Sequence, residues 1–215
     1  MTSGSKICAL LLIGLLSLPT WATESAPEAQ ALIASLGRPA PARTAFAEAR
    51  FMKLLDRPLV VSGELAWLGD DQLQRTVTAP RAERFTIADG EVTQERAGHA
   101  PRHFSLKHAP QLQGLLDSFV ALLSGNPERL AESFLIERSG LDAGRWTLTL
   151  TPRDPRVASK VASIRIDGQA DEPRCMVMQE ADGDVAIDLL GPLAAKMPAD
   201  PTRDALAALC QQPAS

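Results

Sequence analysis

The feature that most constrains this chain is a period-two alternation of apolar and polar residues, repeated in short runs between Gly, Asp and Pro turns. Leu59, Val61, Gly63, Leu65 and Trp67 fall on one side of an extended segment, and Ser62, Glu64 and Ala66 fall on the other. Gly69-Asp70-Asp71 turns the chain, Leu73 to Thr78 returns, and Pro80 ends the run. Phe85 and Ile87 alternate with Arg84 and Thr86, and Asp89-Gly90 forms a hairpin turn into Glu91–Glu95, after which Phe104 and Leu106 continue the pattern. The longest regular alternation sets Trp146, Leu148 and Leu150 against Thr147, Thr149 and Thr151. Phe134 with Ile136, Ile164 with Ile166, and a hairpin of Cys175–Glu180 and Val185–Leu189 around Asp182-Gly183-Asp184 complete the set. Such strands build an antiparallel sheet with one apolar and one polar face.

The helical signals are few. Glu28 to Leu36 is amphipathic and stops at Gly37; an insert from Pro110 to Ser124 places Leu112, Leu115, Leu116, Phe119, Leu122 and Leu123 at helical spacing; and a last helix of about ten residues follows Pro201. A short turn of helix is expected at Glu128–Ser133. Residues 44–55 read either way: their propensity is helical, yet Phe46, Glu48 and Arg50 could alternate along a strand.

The N-terminus points to export. Lys6 precedes an apolar run from Ile7 to Leu18, and Thr20-Trp21-Ala22 offers small residues for a cut after Ala22. Twelve residues rise only about 18 Å as a helix, too short for a hydrocarbon core of roughly 30 Å. The segments expected are a signal at 1–22, a main domain at 23–190 and a helical extension at 191–215, with the mature protein in the periplasm. Cys8 leaves with the signal, so Cys175 and Cys210 remain for one bridge or as two separate thiols. A bridge across about 35 residues is worth roughly 3–4 kcal/mol.

Several function classes drop out. A net charge of −4 gives no footprint for nucleic acid, and without Tyr and with only 3 Trp and 6 Phe there is no base-stacking surface. His99 and His103 are separated by Pro101 and cannot share a helix face as zinc ligands do. Asp182-Gly183-Asp184 lacks the further oxygens of a calcium loop and reads as a turn. Nothing local pairs Asp70-Asp71 with Asp167, and neither a nucleophile elbow nor a phosphate loop is present. The expectation is a protein that is not an enzyme and needs no cofactor.

The segments Phe46-Ala47-Glu48 with Arg50-Phe51, Arg57-Pro58-Leu59-Val60-Val61-Ser62-Gly63-Glu64-Leu65, Ala79-Pro80 and Ile87-Ala88-Asp89-Gly90 resemble, in order and spacing, the LolA-type periplasmic lipoprotein carriers and a divergent group related to them. The resemblance continues through Leu115–Gly125, Trp146–Pro152, Ile164–Gly168 and Glu180–Asp184, and so spans roughly Thr44 to Leu190. It implies an α+β fold: an open, half-closed antiparallel β-barrel whose concave apolar face is covered by helices, with Phe46–Phe51 as its first strand. It also implies a monomer whose apolar cavity takes the acyl chains of a lipoprotein, or of another envelope lipid. Such a carrier would receive them from an inner-membrane ATP-driven extractor and pass them to an outer-membrane acceptor.

Acyl binding needs apolar walls and a movable cover, since each buried CH₂ contributes about 0.8 kcal/mol. The candidate lining is Leu65, Trp67, Phe85, Ile87, Phe104, Leu106, Leu115, Leu116, Phe119, Leu122, Trp146, Leu148 and Leu150. One departure stands out. Typical carriers have an Arg-Pro pair after the strand matching Gly63–Trp67, and its Arg helps hold the lid; Gly69-Asp70 stands there in this chain, so no lid-locking residue is carried over. The alternative is a non-transporting periplasmic interaction module whose barrel core is filled.

Overall fold

The computed structural model describes residues 26–108, 116, 119–140 and 144–213. The expected signal with its cut after Ala22, and Leu112 and Leu115 of the expected covering helix, lie outside the described residues.

Eleven antiparallel strands form one sheet: β1 (Ala42–Phe51), β2 (Leu59–Gly69), β3 (Gln72–Ala79), β4 (Glu83–Ala88), β5 (Glu91–Arg96), β6 (Arg102–Ser105), β7 (Phe134–Gly140), β8 (Arg145–Pro152), β9 (Val161–Gln169), β10 (Glu172–Glu180) and β11 (Val185–Leu190). Their order is β6-β5-β4-β3-β2-β1-β11-β10-β9-β8-β7. The two halves of the chain are therefore two meanders joined where β1 meets β11. The sheet stays open between β6 and β7, and the chain that leaves one open edge at Ser105 returns on the other at Phe134. This is the open α+β barrel architecture.

β1 resolves the ambiguous stretch. Its Ala-rich sequence favours a helix in isolation, but it sits in the middle of the sheet, paired with β2 from Ala42↔Trp67 to Arg50↔Leu59 and with β11 from Phe46↔Leu190 to Phe51↔Val185. Two full ladders override propensity. β6 differs from the expected run: it ends at Ser105, and Leu106 opens a 3-10 turn (Leu106–His108), its N–H donating to the Gly90 carbonyl at 2.8 Å and its side chain buried.

Both faces of the sheet bury apolar side chains. On the inner face, α1 (Ala26–Leu36), the helical segment α2 (119–123) and α3 (Pro127–Ser133) meet β7–β10. Ile33, Leu36, Ala121 and Leu130 press there on Phe134, Trp146, Leu148, Leu150, Ile164 and Ile166. The ends of α1 and α2 are held tightly together: Arg38 N–H donates to the Leu123 carbonyl at 3.1 Å, and a Cβ on Gly125 (φ +67°) would lie 2.9 Å from Gly37 Cα. On the outer face, Ala49, Val185, Ile187 and Leu189 lie under Leu193, Leu206 and Cys210. These come from a 3-10 turn (Gly191–Lys196) and the C-terminal helix, numbered α5 (Arg203–Gln211) after the short α4 (Pro155–Ala158). Cys175 on β10 and Cys210 on α5 form a disulfide with Cα atoms 5.7 Å apart, pinning that helix to the sheet.

Candidate functional site

Directly paired residues in a sheet project to the same side, so the ladders themselves show which side chains share the inner face. Near one rim, a row runs across five strands: Phe104, Val92, Ile87, Leu73 and Trp67. The next row holds Gln94, Phe85, Arg75 and Leu65. On the other half of the sheet, Arg138, Leu148, Ile166, Met176 and Asp188 form one row, and Ile136, Leu150, Ile164, Met178 and Ala186 the next. Leu65, Trp67, Phe85, Ile87, Phe104, Trp146, Leu148 and Leu150 therefore all lie on one face of one continuous sheet.

They are not equally covered. Trp146, Leu148 and Leu150 are sealed beneath the helices, at 2%, 0% and 2% exposure. The Trp146 ring lies flat on Gly168, where a Cβ would come within 2.1 Å of ring carbon Cζ2, and its Nε1–H donates to the Ala170 carbonyl at 2.7 Å. Leu65, Trp67, Phe85 and Ile87 are half-buried, and Phe104 is 45% exposed. Leu116, Phe119 and Leu122 are half-buried, with Phe119 and Leu122 packed against the β7–β10 cluster. Leu106 is buried at the end of the β6 edge, and Leu115 lies outside the described residues. The inner face thus has one closed half and one half, β2 to β6, with apolar side chains still partly open.

Between the halves lies a charged group that no linear pattern announced. Glu48 on β1 and Asp188 on β11 are direct cross-strand partners, so two carboxyls project side by side from the middle of the face. Arg75 reaches across from β3, its Nη2 donating to Glu48 Oε2 at 2.9 Å and its guanidinium lying over the Phe46 ring at 4.6 Å. Asp188 is buried, and its pKa is pushed up to about 8, first by burial and then by the Glu48 charge, against the pull of Arg75. At neutral pH the cluster is a Glu48–Arg75 ion pair beside a protonated Asp188, three ionisable groups with no net charge. A neutral floor leaves the surrounding apolar side chains as the dominant chemistry of this face.

The only linear hint was Asp188 standing alone in the apolar run Val185–Leu190. Its pairing with Glu48 depends on β1 meeting β11, and no local pattern encodes that.

The other candidates sit elsewhere. His99, His103 and His108 are exposed near or beyond the β6 edge, with His103 Nδ1 3.1 Å from Thr93 Oγ1. Asp167 is on the outer face, accepting from Thr147 Oγ1 at 2.7 Å, while Asp70 and Asp71 lie in the β2–β3 turn four strands away. Glu180, Asp182 and Asp184 converge at the β10–β11 turn within 4.8 Å of one another. Asp184 Oδ1 there accepts from Lys53 N–H at 2.9 Å, Lys53 Nζ donates to the Asp182 carbonyl, and Arg50 pairs with Glu180.

A family model described as "Outer membrane lipoprotein carrier protein LolA-like" matches residues 21–214. Among solved structures, the chain is similar to a LolA superfamily protein from Nitrosomonas europaea (11% identity over 78% of this chain and 92% of that one, TM-score 0.43). It is also similar to the Pseudomonas aeruginosa MucA/MucB complex (14%, 86% and 62%, 0.38) and to LprF from Mycobacterium bovis (12%, 82% and 97%, 0.33). A search of curated proteins found no match.

Proposed function

Since this chain belongs to the LolA-like outer membrane lipoprotein carrier family, we propose that it is a periplasmic carrier, not an enzyme, that takes acyl chains on the inner face of its sheet. The cargo is a lipoprotein or another acylated envelope lipid, received from an inner-membrane ATP-driven extractor and passed toward an outer-membrane acceptor. The observation that carries this reading is the half-covered apolar side chains of two adjacent rows on β2–β6, Trp67, Ile87 and Phe104 in one and Leu65 and Phe85 in the next, facing the same way as the sealed core of β7–β10. Each CH₂ of a chain lying along those rows gains about 0.8 kcal/mol on leaving water. The charges on the floor beneath it, Glu48 and Arg75, are already paired with each other, so neither is left without a partner when a chain lies over them. α2 is the natural cover, because Phe119 and Leu122 already rest on the neighbouring core.

The test is native mass spectrometry of the protein recovered from periplasm, with lipid analysis of whatever is released. The expected result is an acylated adduct in the wild type that is lost in Phe119→Glu and Leu116→Glu, while the near-ultraviolet signal of the folded sheet persists. Variants that fold and keep their adduct would show that the cover is wrongly assigned. A second reading has one observation in its favour: the near-complete burial of Trp146, Leu148 and Leu150 is what a filled, non-transporting interaction module would show. Failure of added lipid and lipopeptide to bind the purified protein would select it.

A further inference from the structure

The hairpin loop between β1 and β2 (residues 52–58) exposes leucines to water in a way the fold does not require. Leu54 is 91% exposed, Leu59 at the start of β2 is 51% exposed and Leu55 is 43% exposed. Single exposed leucines are ordinary, but three within six residues at the tip of one hairpin form a patch. Because the sheet is an antiparallel meander, this loop shares its rim with four other connections: β3–β4 (80–82), β5–β6 (97–101), β8–β9 (153–160) and β10–β11 (181–184).

Charge separates this rim from the opposite one. Within these loops Arg156 pairs with Asp154 at 2.8 Å, and Lys53 is bonded to Asp184 and Asp182. Counted by side chain, Lys53, Arg57, Arg81, Arg153, Arg156 and Lys160 stand against Asp56, Asp154, Asp182 and Asp184, since the Lys53 bonds run through its backbone N–H and the Asp182 carbonyl and cancel neither aspartate. At the opposite rim, the β2–β3, β4–β5 and β9–β10 turns present Asp70, Asp71, Asp89 and Asp171, and the described residues of those turns include no Lys or Arg. Arg38, before β1, pairs with Asp171 on that opposite rim at 3.1 Å and Lys107 follows β6 there, so both ends hold cations, but loop cations outnumber loop anions only at the end that carries the bare leucines.

We propose that this rim is a membrane-docking surface. The Leu54–Leu55 tip enters the headgroup region of an anionic bilayer, and Arg57 and Arg81 lie against the lipid phosphates. The combination is that of an interfacial anchor, in which a small buried apolar area and several cations add to reversible attachment. No helix among the described residues is long and apolar enough to cross a membrane. Leu59 also begins a row on the inner face as the cross-strand partner of Arg50. The docked rim therefore leads directly from bilayer to the inner face. The surface stands on exposure and charge alone, independently of the carrier reading.

Vesicle flotation tests it, with protein-free vesicles as probe and with the protein taken from periplasm after its N-terminus is read by mass spectrometry. Wild type should float with phosphatidylethanolamine–phosphatidylglycerol vesicles and lose most of that binding on phosphatidylcholine alone or in high salt. Leu54→Ser, which removes no contact inside the fold, should weaken partition about ten-fold. Each of Arg57→Ser and Arg81→Ser should weaken it about five-fold. Asp89→Asn at the opposite rim should leave it unchanged. Wild type that does not float, or binding that survives Leu54→Ser or both single arginine substitutions, overturns the proposal; a contact that needs a membrane protein gives the first of these results. The same samples are weighed for acylated adduct. Leu54-dependent flotation of a protein that carries no ligand and binds no added lipid or lipopeptide sinks the carrier reading and leaves this one standing, and an acylated adduct on a protein that does not float does the opposite.

Discussion

Replacing Asp188 with Asn should make the protein more stable at neutral and alkaline pH, and the gain should vanish in acid. In the folded chain Asp188 titrates near 8 against an ordinary 3.8, held protonated mainly by burial and then by Glu48 beside it. The unfolded chain releases that proton near pH 4. Between about pH 4 and 8 the folded state therefore binds one more proton than the unfolded state, and stability falls as pH rises. The gap from 3.8 to about 8, at ~1.4 kcal/mol per pH unit, amounts to roughly 6 kcal/mol once the pH has passed the upper value. Asn has nearly the same shape and no proton to lose, so Asp188→Asn escapes this cost while leaving the Glu48–Arg75 pair in place. The assay is urea unfolding followed by Trp fluorescence for both proteins at a series of pH values from 4 to 8.5. The stability difference should be near zero at the acid end and grow by several kcal/mol by pH 8, since every other titrating group is common to both proteins and cancels. A difference that does not change with pH would refute the argument, because it would mean that Asp188 ionises as readily in the folded chain as in the unfolded one.

Glu48→Gln should move the same titration downward, since it removes the like charge beside Asp188; carboxyl-directed NMR titration of Asp188 reads this, and an unchanged midpoint would leave burial as the sole cause. Reducing the Cys175–Cys210 bridge, or replacing both cysteines with Ser, opens a 35-residue separation and should cost roughly 3–4 kcal/mol, seen as a lower thermal midpoint with and without reductant. Gly168→Ala drives a methyl into the Trp146 ring and should destabilise by about 1–3 kcal/mol, with a changed near-ultraviolet Trp signal; a variant as stable as wild type would show that the ring can shift freely.

How much of this could be read without the structure follows from the range over which each property is encoded. The alternation in Leu59–Trp67, Phe85–Ile87 and Trp146–Leu150 is local, because a strand's two faces are set by its own backbone. The chain therefore announced its strands, most of its turns and which side chains would share a face. The turns Asp89-Gly90 and Asp182-Gly183-Asp184 were equally plain, and Cys175 and Cys210, beyond the segment expected to be a signal, made one bridge possible. Residues 44–55 showed the limit of local reading: their alanines satisfy a helix as well as a strand, and only the ladders of β2 and β11 on either side decided between them. The same closure of β1 on β11 brought Glu48 beside Asp188, residues that the sequence holds 140 positions apart, and set the pKa of one by the charge of the other. Tertiary structure also divided the apolar face, sealing Trp146, Leu148 and Leu150 while leaving Leu65, Ile87 and Phe104 half-covered. Periodicity reports direction, but burial depends on what arrives from elsewhere in the chain to lie on top.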